Sequence, residues 1–289
     1  MAEDRFFPMP AHLASILGQC RLPFPVYTRE TEHWTRVGEA GTLWAPHVFE
    51  SPLYVQSTER MSWSSVLLSL LEAPQTNTTL TECAHIIAES GVHIFRGWTG
   101  EPTRHGYLGL AHRWASNVLT HVSNPDVTLS PYLTRDVTPA AHSVRCAAIL
   151  AQISRVMPWS PPVRRWTVVM GLIHNLGHAV VDDDAPEQQG EAGIALLSSH
   201  GDLPEFVYYG VKQHHERFDG TGHPYGLSGQ QLGWAARLLS IVTHWDHHHP
   251  IVGSTDDLQT HWERFLESHG HAHDPEWLET ISTALHFDG

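Results

Sequence analysis

The sequence predicts a mainly helical protein that begins with a small module of α/β or β-rich structure. Short runs rich in β-branched and aromatic residues occur at 25–28 and 53–56, with a hairpin-like piece at 33–38 between them. From Ser62 onward apolar residues recur at helical spacing. Proline, glycine and Asn/Asp clusters then divide the rest of the chain into separate helices.

Three parts are predicted along the chain: the N-terminal module (residues 1–60), a helical connector (61–125) and a C-terminal helical domain (126–289). The cluster at 123–126 is the strongest boundary signal, because Ser, Asn, Pro and Asp there interrupt two helical patterns. The module either senses or docks a partner, or it covers one end of the helical domain. Helical connectors of this kind commonly form dimer contacts, so the sequence leaves open whether the protein is a homodimer.

Composition and charge restrict the function. The chain has 289 residues, 41% of them hydrophobic, and a formal charge of −14, which repels phosphate and argues against a nucleic acid polymer as partner. Without a membrane-spanning apolar run or a signal peptide pattern, no membrane is expected and the predicted location is cytoplasmic. The three distant cysteines predict neither a disulfide framework nor a Cys-type zinc site.

Histidine is the unusual component, with 24 residues in the chain. Three of them are consecutive at 247–249, a tract that either binds metal loosely or forms a solvated turn. In the C-terminal domain, apolar periodicity and punctuation predict a series of helices. They cover residues 138–157, 163–176, 187–200, 204–215, a segment that starts near 228, 256–268 and 275–286.

A stretch at residues 213–226, which we call the signature turn, carries the clearest chemical pattern. His214 and His215 are adjacent at a predicted helix end, where both can reach one metal centre. Glycine and proline then force the chain out of the helix, through Asp219-Gly220 and Gly222-His223-Pro224. Glu216 is expected to accept hydrogen bonds within this turn.

This stretch resembles the signature His-His-Glu-x-x-Asp-Gly-x-Gly-Tyr-Pro of the HD-GYP family, with His223 in place of tyrosine. HD-GYP domains are helical, metal-dependent phosphodiesterases that open cyclic di-GMP. The resemblance extends over residues 138–246 and implies an HD-type helical bundle. His142 with Arg145 is similar to the first ligand helix, and His174 with Gly177 is similar to the motif that names the family.

Several positions depart from the family pattern. Asn175 stands at the bridging aspartate, Gln189 at a ligand histidine and Thr243 at a ligand aspartate, while His178 replaces a substrate-facing lysine. Carried over by resemblance, the candidate site residues fall into three groups. They are Asn175 and His178 for catalysis; His142, His174, His214, His215 and Gln189 for metal; and Arg145, Gly220, Gly222, His223 and Pro224 for ligand binding.

The altered positions change the charge of the site. Two divalent ions carry four positive charges, which bridging and terminal carboxylates normally offset, whereas Asn and Thr are neutral. Four imidazoles are expected to suffice for one divalent ion, iron or manganese, rather than two. Carboxylates at 182–184, or His244 and Asp246 beside Thr243, are the candidates for replacing the missing ligands.

The first hypothesis is a degenerate HD-GYP domain of cyclic di-GMP signalling. It would be impaired in catalysis and would act by binding cyclic di-GMP, a related cyclic dinucleotide, a diguanylate cyclase or another protein. The alternative is an atypical metal-dependent cyclic di-GMP phosphodiesterase, so the sequence leaves open whether the protein is an enzyme. A third hypothesis is a purely structural relic of the fold.

Overall fold

The computed structural model describes residues 6–8, 25–30, 33–39, 53–56, 84, 87–88, 101–123, 139–181, 186–198, 203–248 and 255–285. The chain divides into two compact units, residues 1–110 and 111–289, and each is described by itself. The three-part division proposed from the sequence, with boundaries near residues 60 and 125, stays a prediction.

The first unit contains a four-stranded antiparallel sheet in the order β1-β4-β2-β3. Its strands are β1 (Phe6–Pro8), β2 (Val26–Glu30), β3 (His33–Gly38) and β4 (Leu53–Gln56). Strands β2 and β3 pair antiparallel, with Glu30 opposite His33. The β-type runs predicted from sequence are therefore confirmed, whereas a helix expected at 11–19 and most of the connector lie outside the described residues.

The helices confirm the mainly helical prediction. They are α1 (Glu101–Val122), α2 (Pro139–Val156), α3 (Pro161–Ile173), α4 (Pro186–Ser198), α5 (Glu205–Lys212), α6 (Trp234–His248), α7 (Thr255–His269) and α8 (Pro275–Ala284). Short 3-10 helices cover His174–Ala179, Gly229–Gln231 and Gly270–Ala272. In the part of the chain that the structure describes, none of the helices is long and apolar enough to cross a membrane.

The core of the second unit is centred on α2, which is buried along almost its whole length. Small side chains let α3 approach it closely: a Cβ on Gly171 would lie 2.7 Å from Leu150 and 2.9 Å from the backbone of Ala147. Such close packing leaves α2 no solvent-facing side, so its polar residues must find partners inside the fold. Two of its buried polar residues, His142 and Arg145, belong to the candidate site.

Two helices end earlier than their apolar pattern predicts. The chain leaves α3 after Ile173 and continues as a 3-10 helix, in which Gly177 lies against the backbone of Gln189 with no room for a Cβ. Likewise α5 ends at Lys212, three residues before the predicted end, so His214 and His215 lie in the turn that follows. In both places the change of backbone direction brings histidines to the same cavity.

Candidate metal and ligand site

A cavity of about 540 Å³ lies between α2, α6 and the turns after α3 and α5. Its lining includes every metal and catalytic candidate from the sequence except His174, which is fully buried behind it. The lining residues are Pro139, His142, Arg145, Asn175, His178, Gln189, His214, His215, Arg217, His223, Ser240, Thr243, His244, Asp246, His247 and His248.

His142 and His174 face each other across the inner wall of this cavity. His142 donates from Nδ1 to the Asp246 carboxylate (2.6 Å), and His174 donates from Nδ1 to the Gly171 carbonyl (2.8 Å). With Nδ1 of each ring used in this way, Nε2 is the nitrogen available to a metal ion, and the two Nε2 atoms are 3.2 Å apart. Two nitrogens bound to one tetrahedral ion at about 2.0 Å lie about 3.3 Å apart, so the pair fits a shared ion.

His214 and His215 continue this wall from the turn after α5. His214 donates from Nδ1 to the Val211 carbonyl (2.7 Å), which leaves its buried Nε2 without a hydrogen-bond partner among the described residues. The buried Nε2 of His215 also makes no hydrogen bond within the described chain. Burial, with neighbouring histidines, lowers the pKa of both rings, so both are neutral and able to bind metal.

Six imidazoles form a continuous row in this region. The ring centroids of successive members lie 4.3 Å apart for His247 and His142, 5.1 Å for His142 and His174, and 5.0 Å for His174 and His214. The row continues at 4.0 Å from His214 to His215 and at 4.8 Å from His215 to the stacked ring of His223. The cavity therefore carries a dense set of imidazole nitrogens.

A buried carboxylate, that of Asp246, lies behind the row. Asp246 accepts from Arg145 through both oxygens, Oδ1 from Nε at 2.7 Å and Oδ2 from the guanidinium at 2.8 Å, as well as from His142. Burial alone would raise the pKa of Asp246, but these hydrogen bonds outweigh it and lower the pKa to about 2. Asp246 therefore stays ionised and orients His142, as carboxylates commonly do behind metal-binding histidines.

The altered positions contribute no carboxylate to the cavity. The hydroxyl of Thr243 donates back into its own helix, to the Leu239 carbonyl at 2.9 Å. Gln189 is buried and its amide donates to Nδ1 of His178 at 3.3 Å, while Asn175 lines the cavity beside them. These side chains thus occupy the positions named by the family resemblance but present only neutral groups.

The signature turn is held together by Glu216, which is fully buried. Its carboxylate accepts from the backbone N–H groups of Tyr225 (2.7 Å) and Leu227 (3.0 Å), and its carbonyl accepts from the Ser240 hydroxyl (2.5 Å). Gly222 lies so close to the backbone of residues 216 and 217 that no Cβ fits. The expected role of Glu216 as a hydrogen-bond acceptor in the turn is confirmed, and this use leaves both carboxylate oxygens occupied.

The donor set fits one divalent ion better than a bridged pair. His142, Cys146 and His174 place a ligand atom each within 4.8 Å of one another and could hold a metal ion. Burial raises the pKa of the Cys146 thiol well above its usual value, so the imidazoles are the stronger donors. Among the described lining residues the only carboxylate is Asp246, which Arg145 and His142 already occupy, and the aspartates at 182–184 lie outside the described residues.

His247, His244 and Arg217 also line this cavity; the sequence offered His244 only as a replacement ligand beside Thr243 and His247 only as part of the histidine tract at 247–249. His247 lies one helical turn beyond Thr243, so it faces the same side of α6, and burial lowers its pKa to about 4. A search for histidines spaced four residues from the altered ligand position would have found it. His244 and Arg217 contact each other (3.3 Å), which depends on a tertiary approach without a sequence signal.

Comparisons with known proteins agree with this geometry. Residues 134–257 match the HD domain family model. A cyclic di-GMP phosphodiesterase of Pseudomonas aeruginosa is 27% identical over 146 residues, which is 46% of this chain and 35% of that protein. A 3'3'-cGAMP-specific phosphodiesterase of Vibrio cholerae is 25% identical over 158 residues, 50% of this chain and 33% of that protein.

A solved structure resembles the chain over nearly its whole length. An HDG"Y"P protein of Bdellovibrio bacteriovorus superposes with a TM-score of 0.66 and 14% identity, covering 98% of this chain and 100% of the other. At this identity the likeness concerns the fold. Residues 134–257 carry an HD domain, and these comparisons agree with the resemblance to HD-GYP proteins, while the chain spans about a third of the length of the two curated relatives.

Proposed function

We propose that this protein is a cyclic dinucleotide-binding member of the HD-GYP family in which hydrolysis is strongly impaired and signalling proceeds through ligand or protein binding. The observation that carries the proposal is the charge of the cavity wall. At the altered positions the described lining presents amide and hydroxyl groups, and its one carboxylate is already paired, whereas a two-metal phosphodiesterase needs carboxylates that face the metal ions. A bridging hydroxide between two ions requires those negative charges to hold the ions together.

A dinucleotide ligand is supported by the size and charge of the cavity. A volume of about 540 Å³ lies within the range of about 300–1,000 Å³ that is typical of small-molecule sites. Arg145 is committed to Asp246, but Arg217 is half-buried at the wall, where it makes a long contact of 3.3 Å to His244. Arg217 is therefore the guanidinium we assign to a ligand phosphate. The relatives' names point to cyclic di-GMP or 3'3'-cGAMP as the ligand class.

A single metal ion at the row of imidazoles would assist such binding. His142, His174 and His214 are the residues that would hold it, with His215 beside them. Such an ion would act as a Lewis acid toward a phosphate oxygen. The chain's own residues orient the donors: Asp246 fixes the His142 ring, and backbone carbonyls fix His174 and His214.

An atypical phosphodiesterase is the second candidate, and one specific observation favours it. The Nε2 atoms of His142 and His174 lie 3.2 Å apart, and the buried Nε2 of the neighbouring His214 has no hydrogen-bond partner among the described residues, so this wall offers nitrogen atoms that a metal centre could use. A mononuclear site of this kind would need an open coordination position for water and a base. His178 and His247 line the cavity and would be the bases available in that case.

The experiment uses the full chain loaded anaerobically with iron(II) or manganese(II) and incubated with cyclic di-GMP and with 3'3'-cGAMP. We expect binding by calorimetry and no linear dinucleotide by chromatography. Arg217→Gln should weaken binding by about tenfold, the loss of one charge-assisted hydrogen bond. Arg264→Gln, an exposed arginine on α7, is the matched control and should bind normally. Turnover that disappears in His214→Ala would overturn the proposal in favour of the phosphodiesterase.

A further inference from the structure

A second group of histidines lies at the rim of the cavity, outside the row described above. The rim cluster consists of His244 and His248 on α6 and His269 at the end of α7. Their ring centroids form a triangle with sides of 4.5 Å (His244 to His248), 4.8 Å (His244 to His269) and 4.5 Å (His248 to His269). One nitrogen from each ring lies within 4.8 Å of the other two.

The local sequence explains why these rings meet. His244 and His248 are four residues apart, so they project from the same face of α6. His269 is the last residue of α7, and the buried ring of Phe265 one turn earlier packs against both His244 (5.6 Å) and His269 (5.8 Å). Phe265 thus forms an apolar floor beneath the cluster.

The hydrogen bonds of His244 set its tautomer. An arginine can only donate, so the contact from Arg217 (3.3 Å) identifies Nε2 of His244 as the nitrogen with a lone pair. Nδ1 then carries the proton and donates to Nε2 of His273 at 2.6 Å. A histidine that donates its second ring nitrogen to a fixed acceptor is the usual arrangement behind a metal ligand.

The ligand atoms of the rim cluster favour a divalent ion from the late first-row transition metals. Three imidazoles without a carboxylate or thiolate suit zinc, copper or nickel better than magnesium, calcium or manganese. Burial, with the neighbouring His273 and Arg217, lowers the pKa of His244 to about 2, so its ring is neutral. Zinc with three protein ligands keeps a fourth position open, and His244 and His248 both line the cavity.

We propose that the rim cluster binds one zinc ion through His244, His248 and His269, separately from the row of imidazoles at the cavity wall. The zinc displaces the long Arg217 contact from His244, and its open position faces the cavity. The ion joins the ends of α6 and α7, so it stabilises the fold on that side. This inference goes beyond the proposed function, because it holds whether or not a dinucleotide binds.

Zinc binding by tag-free full-length protein, measured by competition with a chromophoric chelator, tests the proposal. His248→Ala and His269→Ala should each lose about one zinc equivalent. His271→Ala, an exposed histidine two residues after His269, is the matched control and should lose none. His214→Ala should retain the rim zinc, and Arg217→Gln should tighten it by removing a competing positive charge.

Two results would overturn the assignment. The first is an unchanged zinc stoichiometry in both His248→Ala and His269→Ala. The second is a loss of zinc in His214→Ala equal to the total bound, because all the zinc would then belong to the row at the cavity wall. His248 is exposed, so its replacement leaves the fold intact, and a thermal unfolding curve without metal verifies this for each variant. Neither result depends on cyclic di-GMP, so failure here is distinguishable from failure of the proposed function.

Discussion

Carboxylates differ in number and role between the signature turn and the metal-facing wall of the same cavity. In the turn, Glu216 is buried and satisfied by two backbone N–H groups, in agreement with the family pattern. On the wall, Asn175 and Thr243 stand where the pattern has aspartates. Asp246, which lies only three residues beyond Thr243, is again buried and paired. The carboxylates that hold the fold are present, whereas the positions that the family resemblance assigns to further metal ligands carry neutral side chains.

Carboxylates that stabilise the fold can therefore be distinguished from carboxylates that would bind metal ions for catalysis. A buried carboxylate with several donors contributes to stability, because removal leaves those donors unsatisfied. A carboxylate that faces a cavity has no such partners until a metal ion arrives, so its replacement by a neutral group costs the fold little. The HD scaffold can therefore persist with a changed centre, and mutations should affect stability or metal binding according to which set they touch.

The largest effect on stability is expected from Asp246→Asn. The substitution keeps the shape of the side chain but leaves the Arg145 guanidinium buried beside a neutral group. Breaking a buried pair in this way should lower the free energy of unfolding by about 3–5 kcal/mol, measured by urea denaturation. Glu267→Gln, an exposed acid on α7, is the control and should change it by less than about 0.5 kcal/mol. A loss below about 1 kcal/mol for Asp246→Asn would contradict the structural role.

Gly222→Ala should destabilise the protein by about 3 kcal/mol. The new methyl group would meet the backbone of residues 216 and 217, which cannot rotate away as a side chain could. Gly233→Ala is the matched control, because a Cβ there has no described atom within 4 Å. Equal stability of the two variants in the same denaturation experiment would show that the turn is looser than described.

A smaller loss, about 2 kcal/mol, is expected from Glu216→Gln. The amide keeps one acceptor oxygen, so one of the N–H groups of Tyr225 and Leu227 loses its partner. Hydrogen exchange at those two amides should become faster in the variant. The comparison variant is Asp219→Asn, in which an asparagine can still accept from the Thr221 backbone. Unchanged exchange at residues 225 and 227 would argue against the Glu216 network.

The smallest change in free energy concerns the metal-facing wall. Thr243→Asp should tighten manganese binding by on the order of tenfold, because affinity for such ions rises with the number of charged oxygen ligands. Thr243→Asn is the matched control, because asparagine has nearly the same shape as aspartate but no charge. Calorimetry with manganese on both variants tests this. Equal affinities would mean that charge at this position does not limit metal binding.

Much of the fold was predictable from local patterns, whereas the finer parts of the site depended on tertiary approach. Apolar periodicity and Pro/Gly punctuation located α2 to α8, and the spacing of the histidine motifs identified the HD-type bundle. The turn that carries His214 and His215 was predicted as helix, because periodicity does not show where a backbone must bend toward a cavity. The rim cluster combines residues of α6 and α7, and no sequence motif indicates that His269 lies beside His244 and His248.

The central claim concerns the number of iron or manganese ions that the wall can hold, and elemental mass spectrometry of tag-free protein, reloaded anaerobically, measures it most directly. The account predicts at most about one equivalent of iron or manganese per chain, which His214→Ala removes, and no hydrolysis of cyclic di-GMP. About two equivalents, bound tightly and accompanied by hydrolysis of cyclic di-GMP, would contradict it. That result would mean that other ligands rebuild a two-metal centre, and the protein would then be a phosphodiesterase.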